Sequence, residues 1–268
     1  MGESMARKIV VTSGKGGVGK TTIVSNLGMI LAELGYKTVL VDMDFGLNNL
    51  DVLMGVENKI VYDLIDVIEG KCRPKQALIQ DFFESNLYIL PSSHSFCSVK
   101  FGSSLLTKII SAIEDEFDFV LIDCPAGIDG GFRRAVECAD EYIVVTTPHI
   151  SAVRDAIKVI GVLKSIKDIT PLAIINRARG DLILSGNSLD ITAIGKSLYA
   201  EIIGVIPEDD FVSHQMYWGG QISKDSKARE SIYMIGRNLV TGDNKLFDCT
   251  SKYRGIIGSI RKRLRRRL

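Results

Sequence analysis

Short apolar runs rich in β-branched residues recur along the chain at 9–11, 38–41, 87–90, 119–122, 142–145, 172–175 and 202–206. They are continuous rather than alternating, which is the pattern of strands buried on both faces. Between them lie stretches with apolar residues at helical spacing: 22–34, which Gly35 ends, then 105–113 and 153–166. Strands that alternate with amphipathic helices predict an α/β fold, a single doubly wound, mostly parallel sheet with helices on both faces. Ligands of such sheets bind where the loops leave the carboxyl ends of the strands, and each motif of the core falls there.

The first of these junctions reads Gly14-Lys15-Gly16-Gly17-Val18-Gly19-Lys20-Thr21-Thr22. Glycines let the backbone turn its N–H groups inward, and the helix that follows adds its positive end, so the segment is a phosphate loop for a nucleoside triphosphate. Lys20 is expected along the β- and γ-phosphates and Thr21 on a magnesium ion. Lys15 is a second lysine that such a loop does not need for its own phosphates; its side chain points away from them or across to a neighbour's. After the second strand come Asp42 and Asp44, two carboxylates at i and i+2 facing the same way, with Gly46 permitting a turn. Asp123 ends the fourth apolar run in Asp123-Cys124-Pro125-Ala126-Gly127. An aspartate at the tip of a buried strand needs a cation or donors, so Asp123 is read as the acid that supports magnesium, and the Pro-Gly loop after it as a switch segment. Asn176-Arg177 and Pro207-Glu208-Asp209 follow later strands. The amide of Asn176 offers the donor and acceptor that an adenine edge requires, and the proline loop would close the other side of the base.

The spacing Lys15-Gly-Gly-Val-Gly-Lys20-Thr-Thr resembles the deviant phosphate loop of the ParA/MinD class of ATPases. The likeness runs along most of the chain, through Val61-Tyr-Asp63, Asn86-Leu-Tyr-Ile-Leu-Pro91, Pro125-Ala-Gly-Ile128, Ser151-Ala-Val-Arg-Asp155, Ile175-Asn-Arg177 and Gly204-Val-Ile-Pro-Glu-Asp209, where it is similar to the septum-site branch of that class. The resemblance implies a magnesium-dependent ATPase in which Lys15 reaches the phosphates of a partner's nucleotide, Asp44 orients the attacking water and Asp42 joins the magnesium shell. It further implies an ATP-dependent homodimer, a division inhibitor (MinC) as partner and an activator such as MinE. Partition ATPases that bind DNA and regulators of flagellar number are the alternatives within the class. His149 and Asn48 depart from the residues usual at their positions, both near the face where partners bind, and His149 is not expected to be catalytic.

Composition adds two things. No run approaches the length of a membrane span and no secretory signal precedes the first strand, so a cytoplasmic location is expected. Cys72, Cys97, Cys124, Cys138 and Cys249 are odd in number, scattered, and read as reduced thiols rather than as cluster ligands. The net charge of +1 conceals an asymmetry: seven of the 33 Lys and Arg residues fall in 253–268, leaving 26 against 32 Asp and Glu elsewhere. On a helix, Tyr253, Ile256, Ile257, Ile260, Leu264 and Leu268 share an arc of roughly 120° with Arg261 and Lys262 among the basic residues around it, which is the form of a helix lying on an anionic membrane. A DNA-binding arm has no need of that apolar stripe. The chain is thus expected to divide into an ATPase domain at 1–240, a linker at 241–252 and a membrane-targeting helix at 253–268, the protein being peripheral on the inner face of the membrane when ATP is bound.

Overall fold

The computed structural model describes residues 5–45, 49–92, 101–255 and 258, with 216–218 as backbone only. The strands are β1 (Arg7–Thr12), β2 (Thr38–Asp42), β3 (Ile79–Gln80), β4 (Leu87–Leu90), β5 (Phe119–Asp123), β6 (Glu141–Thr146), β7 (Leu172–Ala178) and β8 (Glu201–Pro207). The helices are α1 (Lys20–Glu33), α2 (Leu50–Met54), α3 (Leu64–Ile68), α4 (Ser103–Ser111), α5 (Gly130–Glu137), α6 (Ile150–Ile166), α7 (Gly180–Leu184), α8 (Ile191–Leu198), α9 (Asp210–Trp218) and α10 (Lys227–Thr241). The seven apolar runs are strands, as expected from the sequence. They form one sheet in the order β3-β4-β2-β5-β1-β6-β7-β8, parallel except for the short edge strand β3.

After β1 the chain crosses β5 to reach β2, and β6 later takes the opposite flank of β1. The strand order therefore reverses at β1, and the crevice above its carboxyl end is where such a sheet accepts a ligand. One face of the sheet packs on α1 and α10 through Ile23, Leu27, Ile30, Ile232 and Ile235. The other face buries α3, α4, α5, α6 and α8. Helix α1 is buried nearly all round, because α10 covers the side that the sheet does not.

One boundary differs from the sequence reading. Residues 241–252, expected as a linker, begin at the last residue of α10 and then return to the body. Asn238 on α10 donates from Nδ2 to the carbonyls of Ile203 (3.1 Å) and Lys245 (2.9 Å) and accepts from Lys245 N. Cys249 is buried with Ala178 and Val205, and Tyr253, at the end of a 3-10 turn (Ser251–Tyr253), is buried as well. The polar composition of this strap hid three isolated anchors, Phe247, Cys249 and Tyr253, and Tyr253 belongs to the body rather than to the apolar stripe. Gly180 at the start of α7 is required by it, since a Cβ there would overlap the Cys249 carbonyl. Gly180→Ala is expected to cost about 1–3 kcal/mol and to make the Cys249 thiol titratable by an aromatic disulfide in the native protein; a thiol that stays as slow as in the parent would count against this packing.

The amphipathic residues Ile256, Ile257, Ile260, Arg261, Lys262, Leu264 and Leu268 lie outside the described residues, as do Gly46, Asn48 and Cys97. Among the described residues no helix is long and apolar enough to cross a membrane.

Candidate nucleotide site

The loop between β1 and α1 opens at the strand-order reversal. Gly17 (φ 76°) and Gly19 (φ 95°) occupy the left-handed region that only glycine enters cheaply, which aims successive N–H groups into the crevice. Gly14 meets a different demand, because a Cβ there would run into the backbone of Asp155 on α6. The Ser13 hydroxyl donates to the Lys15 carbonyl at 2.9 Å and fixes the entry to the loop.

A cavity of about 630 Å³ lies over the loop, lined by Gly16, Gly17, Gly19, Lys20, Thr21, Thr22, Asp44, Asn49, Val52, Leu53, Pro125, Ala126 and Arg177. Lys15 is exposed and lines no wall of it. Val18 turns the other way, its side chain buried in the core beside α1, so only its backbone can face a ligand.

Behind the phosphate loop, the register of β2 on β5 sets Asp42 directly beside Asp123, and both are 1% exposed. Asp44 N donates to Asp42 Oδ1 at 2.9 Å, whereas Asp123 Oδ1 is buried with no hydrogen-bond partner. Burial pushes the Asp123 carboxyl up to about 6, with Lys20 and Thr21 offsetting part of the effect. Asp42 is raised well above the ordinary carboxylate range by burial and by the charge of Asp123, with Asp51, itself buried, adding to the repulsion. Burial also raises Asp44, against the pull of Lys20. Two buried acids, one with an orphaned oxygen, next to a threonine hydroxyl and a phosphate loop form the donor set that a hard, oxygen-seeking cation such as magnesium requires. No three His, Cys, Asp or Glu side chains cluster as a self-sufficient metal site among the described residues.

A second cavity, of about 220 Å³, adjoins the first and is lined by Gly19, Thr22, Asn176, Arg177, Pro207, Glu208, Asp209, Val212 and Ser213. All five positions read from the sequence as a base site thus meet here. The pairing of β7 with β8 shifts register between Ile175 and Ala178, and that bulge brings Asn176 and Arg177 out of the ladder; Arg177 has φ 55°. Asn176 Nδ2 donates to Val18 O at 2.8 Å and its Oδ1 accepts from Arg177 N, leaving one N–H and one lone pair of the amide for a ligand. Asp209 differs from its sequence reading. Its carboxylate caps α9 through Phe211 N and accepts from Ser226 Oγ (3.0 Å) and Ala228 N (3.1 Å). Although burial alone would raise it, these bonds hold it below the usual carboxylate range. Asp209 therefore builds the wall of this cavity and does not offer its carboxylate to a base.

His149 is exposed at the N-terminus of α6, with Nδ1 3.0 Å from the Thr147 hydroxyl. Asn49, Val52 and Leu53 on the phosphate side and Val212 and Ser213 on the base side were not anticipated from the sequence. Neither α2 nor α9 shows the helical periodicity that would have marked it.

Residues 6–174 match the family described as AAA domain. The septum site-determining protein MinD of Bacillus subtilis strain 168 is 46% identical over 230 residues, which cover 85% of this chain and 86% of that protein. The MinD of the MinC:MinD cell division protein complex of Aquifex aeolicus superposes with a TM-score of 0.83 at 39% identity, covering 90% of this chain and 97% of that one. The septum site-determining protein MinD of Pyrococcus horikoshii, solved with Mg-ADP, gives a TM-score of 0.80 at 32% identity over 88% of this chain and 97% of that one.

Proposed function

The chain belongs to the MinD family of septum site-determining ATPases, and from that membership we propose that ATP joins two copies of it across their phosphate loops and so turns two weak membrane contacts into one firm anchor. The observation that carries this reading is that Lys20 and Asp44 line one crevice with the buried Asp42–Asp123 pair behind it, while Lys15 stands exposed at the loop. The inward N–H groups of residues 16–20 and the Lys20 ammonium hold the triphosphate. Thr21, with Asp42 and Asp123 behind it, would hold magnesium, which supplies positive charge to the β- and γ-phosphates. Asp44, half-buried on the γ-phosphate side, orients the attacking water and accepts its proton at a carboxylate oxygen. Lys15 completes the partner's site. Asn176, Arg177 and the Pro207–Glu208 backbone receive the base.

Each basic residue of the tail contributes on the order of 1 kcal/mol at an anionic surface, so a single tail binds reversibly. Two tails carried by one dimer raise avidity by about 10²–10⁴-fold. The nucleotide state thereby sets the membrane state, the protein being cytoplasmic with ADP and peripheral on the inner face of the membrane with ATP. The Aquifex aeolicus relative forms a complex with MinC, and we assign this chain the same class of partner, a division inhibitor brought to the membrane, with an activator such as MinE promoting release.

Sedimentation with anionic liposomes and with DNA, under ATP and under ADP, tests the reading. The full chain is compared with a version ending at Arg254, because a cut before the buried Tyr253 would also damage the body. The expected result is lipid binding that needs both ATP and the tail. Retention on DNA without lipid binding would transfer the protein to the partition ATPases.

A further inference from the structure

A buried pair of amides joins two walls of the nucleotide pocket from behind. Asn26 on α1 and Gln215 on α9 are 6% and 3% exposed and lie 189 positions apart in sequence. Asn26 Nδ2 donates to Gln215 Oε1 at 2.8 Å, and Gln215 Nε2 donates back to Asn26 Oδ1 at 3.4 Å. Each also grips its own side. Asn26 Nδ2 donates to Thr22 O at 2.7 Å, one turn earlier on α1, and Thr22 lines both cavities. Gln215 Nε2 donates to Gly220 O at 2.7 Å, while Gly220 N donates to the carbonyl of Leu53, which lines the phosphate side. Gln215 itself sits one turn beyond Val212, on the base side.

Helix α9 forms the outer wall of the base cavity and is only nine residues long, so its placement depends on what fixes its two ends. Asp209 fixes the first end through Ser226 and Ala228. The second end is fixed by Gln215. We infer that Asn26 and Gln215 are positioning residues that hold α9 against the phosphate-loop helix and thereby set the affinity for the adenine end of the nucleotide. Neither is among the residues that line the two cavities. They act through the spacing between Thr22 and Val212, and neither side chain hydrogen-bonds to residues 16–20 of the phosphate cradle. Breaking the pair leaves a buried amide oxygen without its donor, a demand that an outward shift of the helix to admit water would meet.

The inference rests on the assignment of the second cavity to the base, and the experiment separates the two. Calorimetric titration of the full chain uses Mg-ADP and, as a probe without a base, inorganic tripolyphosphate. Gln215→Met keeps the length of the side chain and deletes both hydrogen-bonding groups; Asn26→Ala removes the other half. Each is expected to weaken ADP by about five- to tenfold, with the double variant no worse than either, while tripolyphosphate changes by less than about twofold. The exchange Asn26→Gln with Gln215→Asn, which moves one methylene across the pair, recovers most of the ADP affinity. Equal loss for both probes would reduce the pair to general support of the fold and overturn the inference. Should Gln215→Met fail to fold, Asn26→Ala carries the same comparison. Asn176→Ala identifies which reading fails: if it weakens ADP and Gln215→Met does not, the positioning role alone is wrong; if neither weakens ADP, the base assignment falls with it.

Discussion

Asp123→Asn is expected to make the nucleotide-free protein more stable while abolishing its ATPase activity. Asp123 is buried against Asp42, one of its oxygens has no partner, and its carboxyl is raised to about 6. The sign follows from proton counting. With the folded value above the ordinary 3.8, the folded state binds more protons than the unfolded chain between 3.8 and about 6. Stability is therefore lost as pH rises through that window and is not regained above it. A carboxamide has the same shape and no charge to desolvate, so at pH 7.5 the variant should gain on the order of 2 kcal/mol, or several degrees in melting temperature. At pH 4 the difference should shrink toward zero. Hydrolysis should fall by about a hundredfold or more, and Mg-ADP should no longer raise the melting temperature as it does in the parent. Scanning calorimetry at the two pH values, with and without Mg-ADP, checks all of this; a variant less stable than the parent at pH 7.5 would show that the carboxylate has a partner inside the metal-free fold.

Lys15→Ala should separate binding from assembly. Lys15 lies on the same loop as Lys20, yet it is exposed and outside the cavity that Lys20 enters. Its carbonyl is held by Ser13 Oγ, so the backbone of the loop does not depend on the side chain. Removing it is expected to change the ADP affinity of the monomer by less than about threefold, because no intramolecular phosphate contact is lost. The ATP-dependent dimer should disappear, and hydrolysis should drop by about a hundredfold for want of the trans charge. Lys20→Ala should instead abolish nucleotide binding in the monomer. Light scattering across a size-exclusion profile, with ATP and with ADP, distinguishes them. A Lys15→Ala chain that still dimerises with ATP would remove the trans role.

What the sequence reveals, and what it hides, follows the range of the interactions. The parallel strands were legible because strands buried on both faces must be apolar along their whole length, and the phosphate loop because its glycines answer a local backbone demand. Strand β3 was not legible: two residues carry no period. Asp42 and Asp123 could be read as strand-end acids, but their adjacency is a property of the β2–β5 register. Gly14 could be read as a turn glycine, while the backbone of Asp155 that forbids a side chain there is supplied by a helix 141 positions later. Asp209 was assigned to the base because it follows a strand end. Its caps come from Ser226 and Ala228, beyond the next helix, and no local pattern announces them. Residues 241–252 read as a linker for a related reason: Phe247 and Cys249 are single apolar residues among polar ones, and isolated residues carry no period.

A free linker of twelve residues would let the tail wander about 20 Å from its root. Because the strap is fastened down as far as Tyr253, that slack is gone, and the chain reaches Arg254 at a fixed point on the body. In the ATP-bound dimer proposed above, the distance between two such departure points would be a constant rather than an average over loose chains. On the proposed membrane role, a pair so rooted would meet the bilayer in one attitude, and whatever docks on its outer face would be presented at a set height and orientation above the lipid.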